Sequence, residues 1–273
     1  DTSAGRELRS LRATGSGVFS AALVRDILPG SGSASPTGLT LSASLGRVFF
    51  SASDAVGNSE PWSSDGTSFG TEKLAELRAG TDGSAPLAFT PAGTKVFFSA
   101  TDGAPGTNRE LFVANFATFP ATVGKVLEIN PSTTEGSSPN LLRRMPDNRV
   151  MMLANDGTRG IEMWISDGTA AGTALVADLV AGSGSITGAF GTEAEVNGGF
   201  YYVAGGARLW RSDGTAAGSR QVGATLPEPI SGFRNLHVAG TRMLLSGDSF
   251  SGGSELFQTA LATPQSLTQV TVI

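Results

Sequence analysis

The chain has 273 residues, 40% hydrophobic and only 16% charged, with a formal net charge of −5. No basic cluster offers the Lys/Arg density that neutralises phosphates, which excludes nucleic acid as a partner and a polybasic membrane patch, and no apolar run approaches the ~20 residues of a bilayer span. Cysteine is absent, which rules out disulfides and thiolate metal sites, and histidine occurs once, at His237.

Read in chain order, one tripeptide returns six times: Glu7-Leu8-Arg9, Glu60-Pro61-Trp62, Glu110-Leu111-Phe112, Glu162-Met163-Trp164, Arg208-Leu209-Trp210 and Glu255-Leu256-Phe257, at spacings of 46 to 53 residues. An apolar run precedes each of the last five, such as "RVFFSAS" from Arg47 and "KVFFSAT" from Lys95. Another follows, such as "KVLEI" from Lys125 and "ALVADL" from Ala174. Gly/Ser/Pro-rich links separate the units. Each full unit thus holds four short runs bounded by Gly, Asp, Asn or Pro, which is a strand signature rather than a helix signature.

Four antiparallel strands repeated every ~40–50 residues describe a propeller blade. The expectation is an all-β, single β-propeller domain over 1–273. It has a half unit at 1–27 and complete units at about 28–77, 78–129, 130–179, 180–225 and 226–273. Asp1 aligns with Asp54, Asp102 and Asp156, so the half unit supplies only third and fourth strands. Six blades with one incomplete, or five blades plus a flanking ribbon, both fit. The half unit leaves a free strand edge, which is expected to recruit strands and support self-association.

The pattern resembles the bacterial ELWxxDGT repeat family, which is predicted to form propellers in exported and surface proteins. The best matches are "EMWISDGTAAGT" from Glu162 and "RLWRSDGTAAGS" from Arg208, with "EPWSSDGTSFGT" from Glu60 close. The units at Glu7, Glu110 and Glu255 lack the Asp-Gly-Thr. The resemblance implies an extracellular or cell-surface bacterial location and a role in binding or display. It implies no characterised activity.

The repeated residues read first as scaffold. Asp65, Asp167 and Asp213 each precede a glycine between two strands, where Asp-Gly makes a tight turn. Calcium is the alternative for these three, since Asp, Thr and carbonyl oxygens suit a hard cation. A calcium ion needs 6–8 ligands, however, and Asp54, Asp102, Asp156 or Asp248 would have to add carboxylates. No other cofactor is implied. Trp62, Trp164 and Trp210 share one position with Phe112 and Phe257, which suits packing between blades; exposed rings for ligand stacking are the alternative. The glutamates before these rings recur too often for a unique catalytic pair and read as surface or ladder partners. His237 lacks the G-x-S-x-G elbow of a hydrolase nucleophile.

The leading functional expectation is a non-catalytic, exported or cell-surface propeller that binds or displays, with a protein, surface polymer or glycan as ligand. Alternatives are a multivalent lectin, an architectural segment of a large adhesin or filament, and a glycoside hydrolase or lyase. The last would use unrepeated acids such as Glu193 and Glu195.

Overall fold

The computed structural model describes residues 5–54, 58–103, 108–132, 135–179, 182–186, 193–196, 199–204, 208–222, 231–249, 253–260 and 268–269. Among them the chain is all-β. A two-stranded hairpin pairs β1 (Leu8–Gly15) with β2 (Val18–Arg25). Five four-stranded antiparallel sheets follow, each taking its strands in sequence order. They are β3 (Thr37–Ser42), β4 (Arg47–Ser53), β5 (Ser59–Ser64) and β6 (Glu72–Lys73); then β7 (Leu87–Ala92), β8 (Lys95–Thr101), β9 (Arg109–Asn115) and β10 (Thr122–Leu127); then β11 (Asn140–Arg144), β12 (Val150–Asn155), β13 (Ile161–Ser166) and β14 (Ala174–Ala177). The last two are β15 (Glu193–Val196), β16 (Gly199–Ala204), β17 (Arg208–Ser212) and β18 (Arg220–Gln221), and β19 (Ser231–Ala239), β20 (Arg242–Ser249), β21 (Gly253–Ala260) and β22 (Thr268–Gln269). No helix of the described residues is long and apolar enough to cross a membrane.

The chain divides into two compact parts: Asp1–Arg144, Asn148–Gly157 and Ser166–Thr173 form one, and Met145–Asp147, Thr158–Ile165 and Ala174–Ile273 the other. In the first part the core lies between successive sheets. Phe49 of β4 packs in one cluster with Phe89, Val96, Phe98 and Phe112 of the next sheet. Phe98 stacks on Phe112 with ring centroids 5.9 Å apart, and Phe49 meets Phe116 edge-on at 5.3 Å. In the second part Tyr202 is fully buried and donates its hydroxyl to the Met163 sulfur at 3.6 Å. The doubled apolar residues of the second strand serve both faces, because alternate side chains on a strand point in opposite directions.

The first strand of four of the five sheets, all but that of β15, carries a bulge. The register shifts between Thr37 and Thr40, Leu87 and Thr90, Asn140 and Arg143, and Arg234 and His237. One residue inside each shift is left-handed: Gly38 at φ 66°, Ala88 at 58°, Leu141 at 53° and Asn235 at 55°. The first sheet uses glycine there, where that conformation is free of Cβ strain. Alanine pays about 1–2 kcal/mol at such a φ, part of which glycine returns as unfolded-state entropy. Ala88→Gly is therefore expected to stabilise the chain by about 0.5–1 kcal/mol in urea denaturation; an unchanged or lower midpoint would refute the strain.

Candidate functional site

The most constructed polar site is a buried carboxylate at the start of the third strand. Glu60 and Glu110 are fully buried, as is Glu162, and Glu7 nearly so. Glu60 accepts the backbone N–H groups of Leu77 (3.2 Å), Arg78 (3.1 Å) and Ser84 (3.2 Å), and the Ser84 hydroxyl at 2.5 Å. Glu110 accepts Ile129 N–H (3.4 Å), Ser137 N–H (2.8 Å) and the Ser137 hydroxyl (2.5 Å). Glu7 accepts Ile27, Leu28 and Ala34 N–H groups at 2.9, 3.4 and 3.0 Å, and Glu162 accepts Leu179 N–H at 2.7 Å. Every donor lies in the fourth strand's exit or the link beyond it. The glutamates are thus not surface or ladder partners, as expected from the sequence, but internal anchors. An aspartate is one carbon shorter and would not span the same gap.

A link residue held by Glu7, Glu60 or Glu110 also joins the next sheet. The carbonyls of Ala34, Ser84 and Ser137 accept the N–H groups of Ser53, Thr101 and Asn155, each at 2.9 Å. One buried carboxylate therefore ties the third strand of one unit, through one residue, to the second strand of the next. The link serines Ser84 and Ser137 carry this role and were not singled out from the sequence. Their signal was a serine 24 and 27 residues after its glutamate.

The Asp-Gly-Thr turn is a closed hydrogen-bond set built three times. In the first copy Asp65 Oδ1 accepts both the N–H (2.8 Å) and the hydroxyl (2.7 Å) of Thr67. Thr67 Oγ1 in turn accepts Gly70 N–H at 2.9 Å. The Ser64 and Thr71 hydroxyls share a bond of 2.7 Å, and Thr71 donates to Thr67 O at 2.6 Å. Asp167 with Thr169 and Asp213 with Thr215 repeat the arrangement. Gly66 needs its φ of 89°. A Cβ on Gly70, Gly172 or Gly218 would lie between 1.9 and 2.3 Å from the aspartate carboxylate. The Thr hydroxyl and amide bonds hold all three aspartates below the ordinary carboxylate range. The unit at Glu110, which lacks Asp-Gly-Thr, keeps the turn's first bond: Asn115 Oδ1 accepts Ala117 N–H at 3.0 Å.

The calcium candidates Asp65, Asp167 and Asp213 therefore each commit Oδ1 to their own turn. The acids proposed to assist them are also engaged. Lys73 bonds Asp54 at 2.6 Å and also pairs with Glu76. Lys125 repeats this with Asp102 (2.6 Å) and Glu128. Burial opposes the charge on Lys73, but its two carboxylates outweigh it and raise its pKa. No group of three or more His, Asp or Glu that would hold a metal occurs among the described residues.

Trp62 is buried against Ile27, Ala34, Phe50 and Ala52, with Leu8 beside it, so its ring joins the hairpin to the first sheet. Trp164 is buried and Trp210 half-buried. His237 is exposed on β19. Glu193 and Glu195 lie on β15, and their side chains fall outside the described residues. A cleft of about 300 Å³ lies beside the second Asp-Gly-Thr turn, lined by Lys95, Asn115, Thr122, Lys125 and Thr169 among others. Lys95 donates to Asp167 O at 2.5 Å, so the cleft's wall doubles as a contact between neighbouring units.

No family model matches this chain, and no curated protein does. Its fold is similar to that of puromycin hydrolase (TM-score 0.56, 14% identity), over 97% of this chain and 41% of that one. It is similar to a prolyl endopeptidase (TM-score 0.54, 12% identity; 93% and 36%). It is also similar to a puromycin-hydrolyzing peptidase of Mycobacterium tuberculosis (TM-score 0.50, 12% identity; 92% and 39%). The chain spans less than half the length of these proteins, and the part it matches is their β-propeller. The β-propeller expected from the repeat is thus the fold. The expected function is corrected: the likeness is to the propellers of peptidases, not to a surface display protein, lectin, glycosidase or adhesin.

Two expectations follow from the anchors and turns. Burial pushes the Glu110 carboxyl above its ordinary value of 4.5, against its Ser137 bonds. Its favourable contribution is complete below the unfolded value and is lost as pH rises through the folded one. The turn aspartates have the opposite sign: their contribution is present above 3.8 and is lost as pH falls through the lowered folded values. Denaturant titrations across pH are expected to show Glu110→Gln removing the decline above pH 4.5. Asp167→Asn with Asp213→Asn should flatten the acid limb. At neutral pH, Glu110→Ala leaves three buried donors without an acceptor and should cost about 3 kcal/mol or more. A loss under 1 kcal/mol would sink the anchor assignment.

Proposed function

We propose that this propeller is the non-catalytic platform of a peptidase-type hydrolase, carried beside a separate domain that performs the chemistry and shaping what reaches it. The carrying observation is the asymmetry of the structural likeness: nearly the whole chain matches less than half of each hydrolase. The chemistry of the chain supports the same division. Serine-type acyl transfer needs a histidine base hydrogen-bonded to its nucleophile and oriented by an acid. The single histidine, His237, stands exposed on a strand rather than beside a buried acid. The buried carboxylates Glu60 and Glu110 spend their lone pairs on backbone amides and a serine hydroxyl, which leaves none poised for proton transfer.

The reading is tested by assaying the purified 273-residue chain on puromycin and on a chromogenic prolyl peptide, and by reading the coding sequence on either side of it. The expected result is no turnover by the chain alone, with a hydrolase domain encoded in the same or an adjacent reading frame. Turnover by the isolated chain, or flanks that encode only further repeats, would overturn the reading.

A further inference from the structure

The first and second sheets are built alike near the turn between their third and fourth strands, but they differ there in one residue. Residues that face each other across an antiparallel pair project on the same side of the sheet. In the first sheet one such row is Phe49, Ser63 and Glu72. In the second the same row is Phe97, Val113 and Gly124. Two residues before each phenylalanine stands a cation, Arg47 or Lys95. Arg47 lies back over its row. It donates to Glu72 Oε1 and to the Gly70 carbonyl, both at 2.7 Å, and to Ser63 Oγ at 2.9 Å. The second sheet keeps the cation but has glycine where the first has the glutamate.

That glycine lines the cleft of about 300 Å³ beside the second Asp-Gly-Thr turn, a volume at the lower end of small-ligand sites. Lys95 faces Asn115, and Asn115 faces Thr122, so an ammonium, an amide and a hydroxyl stand in one row along the cleft. Lys95 gives its ammonium to the Asp167 carbonyl at 2.5 Å, not to a carboxylate. The Asp167 carboxylate acts on it from farther away and is bonded to Thr169. Asn115 spends Oδ1 on Ala117 N–H, which leaves its Nδ2 group to donate. Val123 and Lys125 alternate with the row and turn to the other side. Val123 packs against the cluster of Phe98 and Phe112, and the Lys125 ammonium is held by Asp102 and Glu128. Lys95 is thus the cation that this cleft presents to a guest. All of these residues belong to one compact part of the chain.

We propose that this cleft binds a carboxylate ligand, which takes in the second sheet the place that Glu72 takes in the first. The ligand's oxygens accept from the Lys95 ammonium, with the Thr122 hydroxyl and the Asn115 amide as further donors in the same row. The room for it is there: a Cβ built on Gly124 meets nothing within 4 Å, and the backbone at Gly124 is not left-handed. The first sheet shows which chemistry fits, since there one cation bonds both a turn carbonyl and a carboxylate. A neutral ligand forgoes the charge-assisted bond, which is about twice as strong as a neutral one. An acidic side chain of a peptide and a chain-terminal carboxylate offer the same chemistry, and the test separates them. The site stands whether or not a hydrolase domain accompanies the propeller.

The test follows the backbone amide NMR shifts of Val123, Gly124, Lys125 and Thr169 while small probes are added to the 273-residue chain. The α-amide of N-acetylglutamate carries only a side-chain carboxylate, N-acetylalanine only a terminal one, and the α-amide of N-acetylglutamine neither. Inorganic sulfate is the control for any anion. The expected result is saturable shifts at the cleft with the carboxylates, and binding of the glutamine probe and of sulfate weaker by about tenfold or more. The tighter carboxylate names the source, and equal affinity means that the carboxylate alone is read. Gly124→Glu supplies the missing acid from within the chain and should weaken carboxylate binding by about tenfold or more without lowering the thermal midpoint. Lys95→Met should abolish binding and Lys95→Arg should keep it. Because Lys95 also bonds the Asp167 carbonyl, Gly124→Glu is the deciding variant. The proposal is overturned if no probe shifts the cleft amides, or if the glutamine probe or sulfate binds as tightly as the carboxylates. It is also overturned if Gly124→Glu binds them like the parent chain.

Discussion

A buried glutamate carboxyl at the start of a strand holds successive units of this protein together. Burying a carboxyl group is costly unless its oxygens are hydrogen-bonded. Here Glu60 and Glu110 bond theirs to backbone amides and a serine hydroxyl from a link that has left the sheet and must reach the next one. These bonds also solve a problem of the link itself, which is too irregular to satisfy its own N–H groups by pairing in a ladder. The link passes the connection on, since Ser84 and Ser137 offer their carbonyls to the second strands of the following sheets. The glutamate is conspicuous in the repeat because it anchors the link at that point in the units of Glu7, Glu60, Glu110 and Glu162.

The rest of the unit is arranged around that anchor. The ring two residues later faces the preceding unit, as Trp62 does against Ile27 and Ala34, so carboxylate and ring secure neighbouring interfaces from one strand. The Asp-Gly-Thr turn closes the far end of the same strand with bonds internal to six or seven residues. Because it is locally complete, it tolerates replacement: Asn115 makes the equivalent first bond without the glycine or threonine. The anchor has no such local substitute, since its donors lie 17 to 27 residues away.

Much of this was legible in the residue order. Four strands per unit, the turn at Asp65, Asp167 and Asp213, and a ring packed between units all follow from periodicity and turn chemistry. The role of Glu60 and Glu110 was not legible. A polar residue at a strand's start reads as exposed unless one knows that a link 24 to 27 residues on returns to it. For the same reason Asp54 and Asp102 looked free to serve a metal, although lysines of the fourth strands already hold them. Function was read least well. A repeat implies equivalent surfaces and so invites a display or lectin reading, while the structural likeness leads to the propellers of peptidases.

The sequence by itself determined the strand pattern, the repeat and the local turns, because each depends on residues a few positions apart. Tertiary structure decided which polar groups are buried, what each carboxylate binds, and which apolar residues lack a cover. Leu39 and Phe89 occupy the same place in their units. One is exposed and the other buried because only the second has a full sheet before it, and burial depends on the neighbour rather than on the residue.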